Sequence, residues 1–231
     1  MQTKIIGSTL PVLEIQLDAG EQVVGTPDQL SWMMGDVHLT TTTACGGATG
    51  VWGLVSRAVS GGGMFMTEFR AGQGPGMVAF AAKLPGSITE IKLQNDQGYL
   101  VHRHGLICAT PGISIATAAQ SSLGSGLFGG EGFILQHLTG EASAWIELGG
   151  EVVSYDLGAR DTCLVHPGHV GMFEDRVSFE ITTMPGVKNA LFGGDGLFLA
   201  KLTGPGRIWL QTLTPAGVAH AVSPYLPAKH G

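Results

Sequence analysis

Apolar residues occur along this chain in short runs that glycine and proline separate. The clearest example lies near the C-terminal end, where an apolar run at 197–202 precedes Thr-Gly-Pro-Gly at 203–206 and a second run follows at 207–213. Because proline fixes φ and glycine tolerates turn conformations, this segment predicts a hairpin of two strands. Both runs are apolar almost throughout, which is typical of strands that are covered on both faces.

The same pattern predicts an all-β fold with very little helix. Several short strands with turns between them are typical of sandwich or barrel-like folds. Further strands are predicted at 21–24, 87–93, 98–109, 113–117, 152–156, 162–173 and 177–183. The two helix candidates, 50–59 and 186–192, each lead into a cluster of glycines.

Part of the chain is duplicated. Residues 127–148 align with residues 191–212 at an offset of 64 without a gap, and ten of these 22 positions are identical. A weaker third copy lies at 60–80. The sequence therefore predicts a single domain, 1–231, made of three units in a pseudo-threefold arrangement. The units span approximately 10–80, 81–147 and 148–213, and a short C-terminal tail follows.

Three motifs carry a resemblance to a known family: the segment 193–213, Gly-Glu and two valines at 20–24, and Leu-Val-His-Pro-Gly at 164–168. Over about residues 13–213 the chain resembles the altered-inheritance-of-mitochondria (mitochondrial biogenesis) family, which has bacterial members of unknown function. The resemblance implies three repeats set in a ring, each a short double-stranded β-helix or jelly-roll-like unit, as in trp RNA-binding attenuation protein. It implies no catalytic residues, and the mitochondrial members' link to inner-membrane organisation implies scaffolding.

Composition and charge argue against two kinds of partner, nucleic acid and the membrane interior. Charged residues make up 13% of the chain, and the formal net charge is −6 without any basic run. Nucleic-acid binders need a basic surface, so nucleic-acid binding is disfavoured. We expect no integral membrane segment, since no apolar run approaches the roughly 18 residues of a membrane span. The N-terminus lacks a signal-peptide pattern, and the cysteines (Cys45, Cys108 and Cys163) lie far apart, which together indicate a cytoplasmic protein with reduced, buried thiols.

The motifs of nucleotide and nucleophile chemistry are better explained as turns. Residues 124–129 match G-x-G-x-x-G, but an apolar β run follows where the dinucleotide motif needs a helix. Ser114 and Ser125 have no surrounding G-x-S-x-G segment. Glu131 and Asp195 occupy equivalent repeat positions, and we expect their carboxylates to accept backbone N–H groups in turns rather than to perform catalysis.

Histidines are the main candidates for a metal site. His102 and His104 form an H-x-H pair, His166 and His169 lie close together, and His102 and His166 are repeat-equivalent. Convergence of all four would be a cupin-like metal site. We expect instead hydrogen-bonded strand and loop histidines that bind no metal. His137, which is equivalent to Lys201, is predicted at the surface.

The tryptophans divide into two classes. Trp145 and Trp209 are repeat-equivalent and lie in apolar strands, so we expect both in the core. Trp32 and Trp52 have no repeat match. Trp52 belongs to a glycine-rich apolar segment at 45–63, which we expect to contact a partner.

These features favour a non-enzymatic scaffold or binding protein that acts as a homo-oligomer. We expect no catalytic residues, no cofactor-binding residues and no bound cofactor. The low charge predicts self-association, because exposed strands are normally guarded by charged side chains. The alternative is a cupin-like metal-dependent enzyme or a small-molecule-binding protein that uses His102, His104, His166 or His169.

Overall fold

In a computed structural model, the protein is described over residues 1–26, 28–42, 66–118, 134–183 and 198–226. These residues form seventeen β-strands, one α-helix and two short 3-10 turns, so the predicted all-β class is confirmed. The strands are β1 (Gln2–Ile6), β2 (Val12–Leu17), β3 (Gln22–Gly25), β4 (Trp32–Thr42), β5 (Met66–Ala81), β6 (Gly86–Leu93), β7 (Tyr99–His102), β8 (Leu106–Ala109), β9 (Ile113–Ala118), β10 (Leu135–Gly140), β11 (Ala142–Gly149), β12 (Val152–Leu157), β13 (Thr162–Val165), β14 (Val170–Glu174), β15 (Ser178–Thr183), β16 (Phe198–Thr203) and β17 (Gly206–Gln211). Helix α1 is Pro215–Val222, and the 3-10 turns are Pro167–His169 and Ser223–Tyr225.

The strand predictions need two corrections. The segments 98–109 and 162–173 are each two strands rather than one, because a turn interrupts the first at 103–105 and the 3-10 turn at Pro167–His169 interrupts the second. Proline cannot donate to a ladder, which explains the second break. The C-terminal hairpin is present as β16 and β17. The helix candidates at 50–59 and 186–192 lie outside the described residues.

Strands β6 to β11, the middle group, and β12 to β17, the last group, pair in the same way. In the middle group β11 lies between β6 and β8, while β10 lies between β7 and β9. In the last group β17 lies between β12 and β14, while β16 lies between β13 and β15. The registers agree at the offset of 64: Trp145 faces Cys108, and Trp209 faces Met172.

Strands β2 to β5, the first group, reach the same pairing with longer strands. Residues 76–81 of β5 lie between β2 and the first half of β4, residues 32–35. The other half of β5 lies between β3 and residues 37–42 of β4. The halves of β4 meet at Gly35, where the register shifts and φ is +80°. A Cβ there would lie 2.6 Å from the carbonyl oxygen of Pro75, so only glycine fits without a shift.

The groups join through two ladders that cross group boundaries. β3 of the first group pairs with β8 of the middle group, and β7 of the middle group pairs with β14 of the last group. These junctions link the groups in chain order within sheets of eight, six and three strands. The predicted ring of three pseudo-symmetric units stays a prediction.

The buried hydrophobic residues form three clusters. Trp145 lies in one cluster with Phe69 and Phe80, whose rings meet edge to face at 5.5 Å. Phe173 lies in another, stacked on Phe179 at 5.8 Å. The third cluster contains residues from all three groups, and it therefore ties them together. Helix α1 begins after Thr214, whose hydroxyl accepts a hydrogen bond from the Gly217 amide, and contains no buried residue.

Candidate functional site

His102 and His104 occupy the turn between β7 and β8. The Nδ1 atom of His102 accepts a hydrogen bond from the His104 amide at 3.0 Å, and the two rings lie 5.8 Å apart. Burial lowers the pKa of His102, since the interior disfavours its charged form. This ring is therefore a neutral acceptor that closes a turn.

His166 and His169 make a similar arrangement around the 3-10 turn. His166 Nδ1 accepts from the Gly168 amide at 3.3 Å, and His169 Nδ1 lies 2.8 Å from the carbonyl oxygen of Gln211. Burial lowers the pKa of His166. Across the described residues, no group of three or more His, Cys, Asp or Glu side chains could hold a metal. The structure thus brings the histidines together as two local pairs and not as one set.

We predict that the four histidines hold no metal. Protein purified without an affinity tag should contain zinc, iron and manganese far below one ion per chain by elemental analysis, because the Nδ1 atoms of His102, His166 and His169 each already contact a backbone group. The double variant His102→Ala/His166→Ala is the control. Stoichiometric metal that this variant loses would contradict the prediction and support the cupin-like alternative.

His137 and its repeat equivalent Lys201 lie within the described residues, and each is close to a carboxylate. His137 Nε2 lies 3.1 Å from Asp175 Oδ2, and Lys201 forms an ion pair with Glu180 at 3.4 Å. The side chains of His137 and Lys201 are both partly exposed, as predicted for surface positions. Glu131, Asp195, Ser125, Cys45, Trp52 and the segments 124–129 and 45–63 lie outside the described residues.

The repeat-equivalent tryptophans differ in environment. Trp145 is 2% exposed, which confirms its predicted place in the core. The same prediction is wrong in part for Trp209, which is only partly buried. Its ring lies 6.0 Å from that of Tyr99, and the Arg207 guanidinium lies 5.8 Å from its centre. A guanidinium over an indole face makes a favourable cation–π contact, so Trp209 lies at the margin of the core.

A pocket of about 400 Å³ opens where the first and middle groups meet. His104 lines it beside Arg103 and the ion pair of Asp28 with Lys83. His102, His166 and His169 do not contribute to its walls. The pocket therefore does not gather the histidines that the cupin-like alternative requires.

Large apolar side chains are exposed on several outer strands, among them an edge of β4 and an edge of β13 that have no paired neighbour among the described residues. The β4 edge is residues 32–35, where Trp32, Met33 and Met34 are 45%, 44% and 61% exposed. These residues pair with β5 on one side only. The β13 edge is Thr162–Val165, which pairs only with β16 and leaves Leu164 52% exposed.

Most other sheet edges carry charged residues, whereas β9 and residues 37–42 of β4 do not. Most of the remaining outer strands carry charged residues: Lys4 on β1, Glu90 and Lys92 on β6, Asp156 on β12 and Glu180 on β15. β9 carries no charged residue, and its described side chains, 113–117, are exposed only at the small residues Ala116 and Thr117. Charges on edge strands oppose unwanted strand addition, and the β4 and β13 edges lack them.

Hydrogen bonds hold β4 to β5 next to the β4 edge. Beyond Gly35, the Asp36 carboxylate accepts hydrogen bonds from the Gln73 and Gly74 amides at 2.9 and 3.2 Å. These bonds, with a smaller contribution from His38 at 2.9 Å, hold the pKa of Asp36 below its usual value. The carboxylate thus anchors the bulge in β4 to the bend of β5. The exposed apolar residues 32–35 therefore lie next to a bulge that is hydrogen-bonded to β5.

Comparisons with known proteins agree with the family resemblance in the sequence. The model of the family described as mitochondrial biogenesis AIM24 matches residues 3–213. An uncharacterised protein of Streptococcus pyogenes serotype M6 is 26% identical over 223 residues, which cover 95% of this chain and 88% of that protein.

A solved crystal structure shares the fold. It is that of another protein of Streptococcus pyogenes, with a TM-score of 0.76 and 21% sequence identity, over 97% of this chain and 99% of that one. At this identity the likeness concerns the fold alone. No helix within the described part of the chain is long and apolar enough to cross a membrane.

Proposed function

The chain belongs to the mitochondrial biogenesis AIM24 family, and we propose that it acts there as a non-enzymatic scaffold that assembles with copies of itself. The observation that carries this proposal is that the β4 and β13 edges carry no charged residue and have no paired strand on one side among the described residues. Together they expose four large apolar side chains, Trp32, Met33, Met34 and Leu164. A second copy would remove this apolar surface from water and satisfy the open backbone groups.

The composition of the chain supports the same proposal. With charged residues at 13%, the surface has few groups that oppose association. The net charge of −6 favours protein partners over nucleic acid, and we propose that the protein works in the cytoplasm without nucleic acid or a cofactor. We also propose that the three groups of strands are the units 10–80, 81–147 and 148–213 of one domain.

The test is a charge placed on the β13 edge. We expect Leu164→Lys to lower the mass of the assembly to that of the 23.9 kDa chain, because an ammonium group at a strand edge disfavours strand addition. The measurement is light scattering after size exclusion at micromolar concentration.

Val153→Lys is the matched control for this variant. Val153 is 41% exposed on β12, an outer strand that Asp156 already guards, so this variant should keep the wild-type mass. Circular dichroism checks that both variants are folded. An unchanged mass for folded Leu164→Lys would contradict the proposed role of the β13 edge.

A further inference from the structure

We propose that β13 of one copy pairs antiparallel with residues 32–35 of β4 in a second copy, in the register that already joins the groups within the chain. This inference rests on the proposed self-assembly and specifies its partner and its contacts. Within the described part of one chain, β13 pairs only with β16 and β4 only with β5, so a second copy would displace no strand of that part.

The two internal junctions use the same register. At the first junction, Val24 of β3 faces Ala109 of β8, and Gly25 faces Cys108. At the second, Leu100 of β7 faces Phe173 of β14, and Val101 faces Met172. The offset of 64 relates Cys108 to Met172 and Ala109 to Phe173. Each junction is therefore the same antiparallel ladder between consecutive groups.

The pairing within the groups identifies the corresponding residues at the open edges. Leu100 faces His137 on β10, and Leu164 faces Lys201 on β16, again at the offset of 64. Leu164 is thus the counterpart of Leu100, and Val165 that of Val101.

The first group supplies the other side of the ladder. Phe173 faces Ile208 on β17, and Met33 faces Val78 on β5. The Gly-Pro-Gly tripeptides at 74–76 and 204–206 align Val78 with Ile208, so Met33 is the counterpart of Phe173. The expected contacts between copies are then Leu164 with Met33, Val165 with Trp32, and Cys163 with Met34.

Residues at the internal junctions are more buried than their counterparts at the two open edges. Ala109 and Phe173 are fully buried, whereas their counterpart Met33 is 44% exposed. Val24 is 5% exposed, whereas its counterpart Leu164 is 52% exposed. Facing residues also share a hydrophobic cluster: Val24 lies in one cluster with Ala109, and Leu100 packs against the cluster of Phe173. The open edges therefore have the apolar side chains of a junction, but no opposite strand lies beside them among the described residues.

The pairing is head-to-tail, because two different edges meet. Each copy in such an assembly offers one edge to the copy before it and the other edge to the copy after it. A heterologous contact of this kind closes into a ring when its rotation permits, and otherwise extends as a filament.

A cysteine pair tests the register. Residues that face each other in an antiparallel ladder have Cα atoms about 4.5–5.5 Å apart, which suits a disulfide. We would replace Met34 by cysteine, with Cys45→Ser as background, and keep the native Cys163. Oxidation is done at mildly alkaline pH, because partial burial raises the pKa of the Cys163 thiol.

We expect disulfide-linked multimers of Met34→Cys on a non-reducing gel, lost on reduction and in Met34→Cys/Cys163→Ser. Mixing that double variant with the Cys45→Ser chain should yield linked dimers, which neither chain forms alone. Leu39→Cys, which is 44% exposed against 61% for Met34 but lies on the second half of β4, should not cross-link. If Met34→Cys assembles without a disulfide to Cys163, the register is overturned and the proposed function stands. A monomer overturns both.

Discussion

Trp145→Ala is expected to destabilise the fold by about 3–5 kcal/mol, the range for removal of a buried large aromatic side chain. Trp145 is 2% exposed, lies on the central strand β11 and packs in the cluster of Phe69 and Phe80. Its truncation leaves a cavity that strands paired on both sides cannot collapse to fill. The measurement is the free energy of unfolding from urea denaturation.

Trp209→Ala is the matched control for this substitution, since the residue occupies the equivalent position on β17. Its ring is partly exposed and is covered on one side by Arg207. We expect a clearly smaller loss of unfolding free energy than for Trp145→Ala. Equal losses for the two variants would contradict the difference in packing between the two groups.

Phe173→Ala is expected to cost about 3–5 kcal/mol of unfolding free energy for a different reason. Phe173 is fully buried, stacks on Phe179 with an interplanar angle of 6°, and faces Leu100 across the second junction. The substitution therefore weakens both the core of the last group and its attachment to the middle group.

The exposed aromatic Tyr155 provides the control for Phe173→Ala. Tyr155 is 51% exposed on β12, and Tyr155→Ala should change the unfolding free energy far less. The same urea denaturation measures both variants. A loss at Phe173 as small as that at Tyr155 would mean that the second junction contributes little to stability.

The local sequence pattern predicts that a strand exists better than it predicts the residues at which the strand begins and ends. The apolar runs around 203–206 predicted β16 and β17 because a Gly-Pro-Gly turn separates them, and the offset of 64 relates strands that have the same partners in the structure. Strand β4 was missed, since its polar second half masks the apolar Trp32–Met33–Met34 start.

The candidate site depends on contacts between distant strands, which local patterns do not contain. The first group, which contains Trp32, lies outside the ungapped alignment of 127–148 with 191–212, and its β4 joins two strands into one across the bulge at Gly35. Likewise, the local sequence does not distinguish the exposed Leu164 from its counterpart Leu100. The two differ because β14 pairs with the strand of Leu100. Alignment of the first and last units at their Gly-Pro-Gly tripeptides, 74–76 and 204–206, is the signal that could have related Met33 to Phe173.

The mass of the wild-type protein in solution is the most direct test of self-assembly. Light scattering after size exclusion, over a range of micromolar concentrations, should give a mass of at least twice 23.9 kDa, which is discrete if the head-to-tail contact closes into a ring. Such a mass would agree with apolar edges that are covered by neighbouring copies. A monodisperse 23.9 kDa species throughout that range would contradict the scaffold proposal and the head-to-tail pairing with it.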